Sequence, residues 1–264
     1  MRIFQVDAFA SRMFTGNPAA VIPLEEWLDE EILQRIAMEN NLAETAFFIP
    51  RGDHYHLRWF TPKVEVDLCG HATLATAHVL FNHLGFAGKE IFFESKSGIL
   101  KVCREGKRYI LNFPCDDLDP ADPPSGMIRA LGKKPLFCYR GCTNYMLVYR
   151  RQADIEQMKP DFTSLSKSDT MGVIVTAPGD WADFVSRFFA PRLGINEDPV
   201  TGSAHTSLIP YWSRQLAKQE MVARQLSERG GELHCRHLGN RVEIGGTAVT
   251  FMEGTITLPG DLQM

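Results

Sequence analysis

No apolar run in this 264-residue chain approaches the roughly 18 residues that a membrane-spanning helix needs, so no bilayer span is expected. No cluster of basic residues with interleaved aromatics occurs, and the formal net charge is −4. Both speak against nucleic acid or an anionic membrane as a partner. The start, Met1-Arg2-Ile3-Phe4-Gln5-Val6-Asp7, reads as a strand and lacks the charged segment and apolar run of a signal peptide. Cysteine is sparse and scattered, at positions 69, 103, 115, 138, 142 and 235, with no Cys-x-x-Cys. Cys138 and Cys142 have no matching second pair, so a zinc knuckle is not expected. Buried thiols in a reduced, cytoplasmic protein are expected instead. No His-x-x-x-His marks a helical metal site, and Ser203 lacks the Gly-x-Ser-x-Gly of a hydrolase elbow.

What is present is ordinary for a globular chain: 44% hydrophobic and 23% charged residues, enough to bury a sizeable core in one large or two small domains. Alternation predicts strands at 2–9, 55–60, 90–94, 98–103 and 108–113, and short apolar strands at 19–22 and 45–49. Leu28, Ile32, Leu33 and Ile36 share a face and predict a helix over 25–39, with Asn40-Asn41 suited to a left-handed cap. His54 and His56 are expected to face solvent, and His78 to pack within its helix. The acidic, proline-rich stretch 114–125 is the best linker candidate. Beyond it, strands are expected near 135–140, 143–149, 171–177, 183–189, 221–226, 231–236, 240–245 and 248–258. Hairpin spacing outweighs strand–helix alternation, which predicts α+β with antiparallel sheets. The domains expected are 1–116, with the last strand near 255–264 as a candidate to complete it, and 117–254.

Two glycine-led turns stand out. Asp67-Leu68-Cys69-Gly70-His71-Ala72-Thr73 precedes a helical run with Leu74, Ala77, Phe81 and Leu84 on one stripe. Glu197-Asp198-Pro199-Val200-Thr201-Gly202-Ser203-Ala204-His205 precedes another, near 203–217. A helix start presents unpaired N–H groups, a ready seat for a carboxylate. His71 can hydrogen-bond a ligand or relay a proton, and equally can sit half-exposed at a helix start. Pro199 holds Asp198 extended and projects it from the turn; Thr201 and Ser203 have helix capping as their plain role. Cys69 beside a helix N-terminus could serve as a thiolate base, but its counterpart in the second turn is Val200. Glu44 is the lone carboxylate in Asn41-Leu42-Ala43-Glu44-Thr45-Ala46-Phe47. A carboxyl in such surroundings holds its proton to higher pH, which suits a general acid/base; the bland reading is a solvent-facing strand end.

These residues, with Phe4-Gln5-Val6-Asp7-Ala8-Phe9 and Gly16-Asn17-Pro18-Ala19-Ala20-Val21, resemble the PhzF (phenazine biosynthesis-like) family across essentially the whole chain. The resemblance implies a diaminopimelate-epimerase-like fold: two similar lobes, each a mostly antiparallel sheet or barrel wrapped around a central helix, with the active site in the cleft between them. It implies a cofactor-independent, metal-free isomerase that moves a proton on a small carboxylic acid. Its acid/base glutamate matches Glu44, and its site histidine, aspartate and serine match His71, Asp198 and Ser203. Gly70 and Gly202 join His71 and Ser203 as expected substrate-binding positions. Epimerases of this fold use two cysteines, and only Cys69 is retained, which favours a one-carboxylate shuttle. An amino-acid epimerase or racemase is the alternative enzyme, and a non-catalytic small-acid binding protein the alternative class. Similar proteins are often homodimers.

Overall fold

In chain order the computed structural model contains β1 (Arg2–Ala8), β2 (Asn17–Pro23), α1 (Glu30–Asn40), β3 (Glu44–Arg51), β4 (His54–Phe60), β5 (Glu65–Val66), α2 (Gly70–Asn82), β6 (Glu90–Ser95), β7 (Gly98–Glu105) and β8 (Arg108–Pro114). There follow β9 (Asp119–Pro120), α3 (Met127–Leu131), β10 (Phe137–Arg140), β11 (Asn144–Val148), α4 (Gln152–Glu156), α5 (Phe162–Leu165), β12 (Gly172–Pro178), β13 (Phe184–Ala190) and β14 (Ile195–Asp198). The chain closes with α6 (Ala204–Leu216), β15 (Glu220–Gln225), β16 (Gly231–Leu238), β17 (Arg241–Gly246) and β18 (Ala248–Thr255). Residues 1–258 are described; the end of the expected closing strand lies outside them. Two compact units emerge, Met1–Asn112 with Gly245–Met264, and Phe113–Ile244. Each surrounds one long helix with strands that pair mostly antiparallel, so the fold is α+β. No helix among the described residues is long and apolar enough to cross a membrane.

In the first unit β1 lies between β2 and β18, antiparallel to both. β2 and β3 run parallel, with Ala19 opposite Glu44. β3 and β4 form the expected hairpin, turned at Gly52 with φ 63°. The helix α2 is buried at every residue from Gly70 to Phe81. That is the signature of a helix apolar on all sides and enclosed by its own sheet. His78 ties it outward: its Nδ1 lies 3.0 Å from the Tyr109 hydroxyl and its Nε2 2.8 Å from Thr250 Oγ1.

The first helix departs from the sequence pattern. It begins at Glu30, five residues later than the stripe predicts. The Leu24 N–H bonds Phe48 O instead, extending the strand pairing, and Asp29 O accepts from Ile32 and Leu33 to start the helix. Trp27 then lies against His56, its Nε1–H donating to His56 Nδ1 at 3.1 Å, so His56 is half-buried and not a solvent-facing residue. The left-handed cap occurs where expected, at Asn41 with φ 49°.

In the second unit β11 and β12 pair in parallel, β12 and β13 antiparallel, and β13 pairs with both β14 and β15. Trp212 of α6 stacks on Phe184 of β13 with ring centroids 5.7 Å apart, and its indole N–H donates to Thr176 Oγ1 at 2.9 Å. Pro210 stands inside α6. A proline there leaves the carbonyl four residues back without its helical donor. Thr206 O is that carbonyl, and the Asp116 N–H takes it at 3.2 Å. Asp116 also accepts from Ser207 Oγ and from the Cys142 N–H. The 114–125 stretch is therefore no free linker: the missing proline donor binds it to α6, and its β9 pairs with β10. All six cysteines are free thiols; Cys69 and Cys235 are buried as expected, Cys103, Cys115 and Cys138 are half-buried, and Cys142 is exposed.

Candidate active site

Because β2 and β3 are parallel, their first residues, Asn17 and Glu44, start at the same edge of the first unit. The N-terminus of α2 arrives there too, and His71 touches both. Its Nδ1 lies 3.2 Å from Asn17 Nδ2 and its Nε2 3.1 Å from Glu44 Oε2. Cys69, at the N-cap of α2, places its sulfur 3.5 Å from the same Nδ1. Asn17, Cys69 and His71 are buried, and the Glu44 side chain is 14% exposed. The Glu44 Oε2 and His71 Nε2 atoms are both sealed from solvent, and neither has a partner other than this 3.1 Å contact.

Electrostatics follows from enclosure. Burial, with the neighbouring Glu44 charge, pushes the Cys69 thiol up, so it is a thiol at neutral pH and not the thiolate base that its place at a helix start suggests. Burial disfavours the charged form of His71, but the Cys69 sulfur and the Glu44 carboxylate outweigh it and hold its pKa well above the ordinary histidine range. Glu44, Cys69 and His71 lie close enough to suggest a metal cluster. One ligand atom from each lies within 4.8 Å of the other two, with Glu44 nearest Nε2 of the ring and Cys69 nearest Nδ1.

The second unit builds a different cluster. Asp198 ends β14 and is buried, its Oδ2 accepting the Thr201 hydroxyl. Thr201 thus bonds Asp198 rather than capping α6. Ser203 occupies the N-cap position, is exposed, and makes no side-chain cap. Gly202 is buried one residue before it, and α6 runs over Ala204–Leu216, as the expected helix near 203–217 has it. Gln225, 1% exposed at the end of β15, clamps the turn: its Oε1 accepts from the Thr201 N–H, and its Nε2 donates to Asp198 O and Thr201 Oγ1. Sequence reasoning missed Gln225, since a glutamine closing an alternating strand carries no local mark of burial. It missed Asn17 as well, although Gly16-Asn17-Pro18 drew notice as a turn.

His205 completes that turn. Its Nδ1–H donates to Thr201 O at 2.8 Å, and burial pushes its pKa down to about 4. Burial, then the charges of His83 and Arg104, does the same to His78, also to about 4. Both rings are neutral in the fold and charge more easily once unfolded, near 6.5. Their stabilisation is full above pH 6.5 and is lost as pH falls to about 4, about 3 kcal/mol for His205 alone. Urea denaturation between those pH values should show wild-type stability falling steeply. In His205→Asn, which keeps a donor toward Thr201 O, stability should be lower at pH 7 but decline less; parallel curves would refute the assignment.

Each α+β unit is centred on one helix, and in the first a carboxylate and an imidazole are sealed together at the helix start. The chain matches the model of the phenazine biosynthesis-like protein family (PhzC-PhzF) over residues 6–254. The chain belongs to that family. An uncharacterized isomerase of Pseudomonas aeruginosa is 50% identical, with 98% of this chain and 99% of the relative covered. A human phenazine biosynthesis-like domain-containing protein is 41% identical, covering 97% and 98%. The crystal structure of a PhzF-family protein from Enterococcus faecalis superimposes with a TM-score of 0.95 at 49% identity, covering 97% of this chain and 99% of that one.

Proposed function

We propose that the chain moves a proton on a small carboxylic acid, with Glu44 as the acid/base group and without a cofactor. The observation that carries this is the sealed pair of Glu44 Oε2 and His71 Nε2, 3.1 Å apart and otherwise without partners. A carboxylate beside a proton-bearing imidazole can take a proton from carbon, hold it out of water, and return it. In the forward step the C–H bond breaks, Glu44 gains the proton, and the electron pair enters the conjugated system. In the return step Glu44 gives the proton to another carbon, so atoms and electrons balance. Neither α2 nor α6 has a side-chain cap at its start. The substrate carboxylate is assigned to such N–H groups at Gly70-His71, beside Glu44. In the second unit Gly202, Ser203 and Asp198, the last held by Thr201 and Gln225, are the candidate substrate-holding groups.

The buried Cys69 thiol beside His71 favours one second reading, an amino-acid epimerase in which the thiol supplies the second proton carrier. One experiment separates the readings. The enzyme is incubated in D2O with a panel of unsaturated carboxylic acids and amino acids, and the position of label is read by NMR. Deuterium at a new carbon supports positional isomerisation. Deuterium at an inverted stereocentre supports epimerisation. Binding with no label for any acid overturns both.

A further inference from the structure

We propose that Asn17 is a positioning residue that decides which nitrogen of the neutral His71 ring carries its proton, leaving Nδ1 as a lone pair and Nε2 as the N–H that faces Glu44. For its catalytic consequence the inference rests on the Glu44 reading above; for its geometry it does not. Asn17 opens β2, is 0% exposed, and directs Nδ2 at His71 Nδ1 from 3.2 Å. An amide nitrogen only donates. The second neighbour of Nδ1 is the Cys69 sulfur, 3.5 Å away. On the far side of the ring Nε2 faces a carboxylate oxygen, which in its ionised form only accepts. One tautomer suits both Asn17 and Glu44. The other would set N–H against N–H at Asn17 and a lone pair against a carboxylate at Glu44, in a pocket with almost no solvent to relieve either contact.

The chain around Asn17 is built to hold it. Gly16 has φ 69° and no room for a Cβ, which would lie 2.2 Å from Ala8 O. Pro18 restricts the residue before it to extended backbone. Asn17 is therefore pinned on both sides, and its amide reaches a ring 54 residues away in sequence. A thiol rotor can turn aside, so Cys69 alone could not make this choice. The raised His71 pKa keeps both ring nitrogens protonated at neutral pH, so the choice acts once the ring has given up one proton. With the remaining proton on Nε2, His71 faces the Glu44 carboxylate as a donor. With the proton on Nδ1, Nε2 would compete with Glu44 for the substrate proton.

The test reads the ring directly, in protein without substrate. 15N NMR of uniformly labelled enzyme at alkaline pH, where the ring is neutral, identifies the protonated nitrogen, with His71→Gln used for assignment. Wild type should show His71 protonated at Nε2 and bare at Nδ1. Asn17→Asp offers only acceptors at the same place, and should move the proton to Nδ1 and raise the His71 pKa. Asn17→Leu should leave a mixture of tautomers. Once a substrate has been found by isotope exchange, Asn17→Asp should lower kcat on the order of 10²-fold, with KM little changed and the acidic limb of the pH profile moved upward. Wild-type His71 protonated at Nδ1 overturns the proposal, and so does an unchanged ring signature in Asn17→Asp. If the aspartate variant does not fold, the wild-type spectrum still decides. A correct tautomer with no isotope exchange on any acid would retain this inference and defeat the functional reading.

Discussion

Glu44→Gln should lose at least 10²-fold, and up to about 10⁴-fold, in turnover while retaining ligand affinity, because a positioned acid/base group contributes that much to a proton transfer. The substitution is close to isosteric, so the first residue of β3 keeps its shape beside His71. What it removes is the ability to hold a proton reversibly. The loss should fall on kcat and on deuterium exchange at carbon, since an interaction made only in the transition state lowers kcat and kcat/KM together. Binding of a substrate carboxylate at the start of α2 should persist. A second readout follows from the electrostatics. The Glu44 charge is one of the two influences that hold the His71 pKa up, so in Glu44→Gln the ring should titrate lower than in wild type. The measurements are stopped-assay kinetics with an identified substrate, exchange in D2O, and a histidine titration by NMR. Exchange near the wild-type rate would remove Glu44 from the chemistry.

Gly16→Ala should destabilise the protein by about 3 kcal/mol or more, the largest stability effect expected of any single methyl group added here. Two penalties add. A non-glycine residue at φ 69° pays for left-handed backbone, and the new Cβ would lie 2.2 Å from Ala8 O and 2.8 Å from Ala10 Cβ. The first obstacle is a backbone oxygen of β1, which is tied to β2 on one side and β18 on the other and cannot swing away. Relief must come from shifting β2, and Asn17 shifts with it. The variant should therefore lose stability in urea denaturation and, in whatever fraction folds, lose the Asn17 contact to His71. The same alanine at Gly52, also at positive φ but with nothing near its Cβ, should cost far less. Equal costs at the two positions would show that backbone conformation alone matters at Gly16.

Much of this architecture was legible along the chain. The alternating stretches around Phe4, Tyr55 and Phe93 became strands, and the stripe of Leu74, Ala77 and Phe81 became the buried helix α2. Asn41 took the left-handed cap that its type favours. These outcomes depend on periodicity and on the conformational range of single residues, both local properties. The start of α1 was misread because Leu24 found a better partner in Phe48, a competitor that no window of residues 25–39 contains. The stretch 114–125 read as a linker because proline and aspartate are what linkers contain. Its role was decided by the unpaired Thr206 carbonyl beneath Pro210, about ninety residues away.

The site divides in the same way. Sequence by itself determined the family, through ordered motifs that carry Glu44, Gly70-His71 and Asp198 to Ser203, and with the family an α+β isomerase scaffold. It also determined that Gly16 could take a backbone conformation closed to other residues. Only the tertiary structure decided that the parallel pairing of β2 with β3 brings Asn17 and Glu44 to opposite nitrogens of one imidazole, that Cys69 is a sealed thiol, and that Gln225 and His205 grip the Asp198 turn. The reason is physical. Propensity and pattern act between neighbours in the chain, whereas a proton's place on a buried ring depends on donors and acceptors that meet only when distant segments exclude water together.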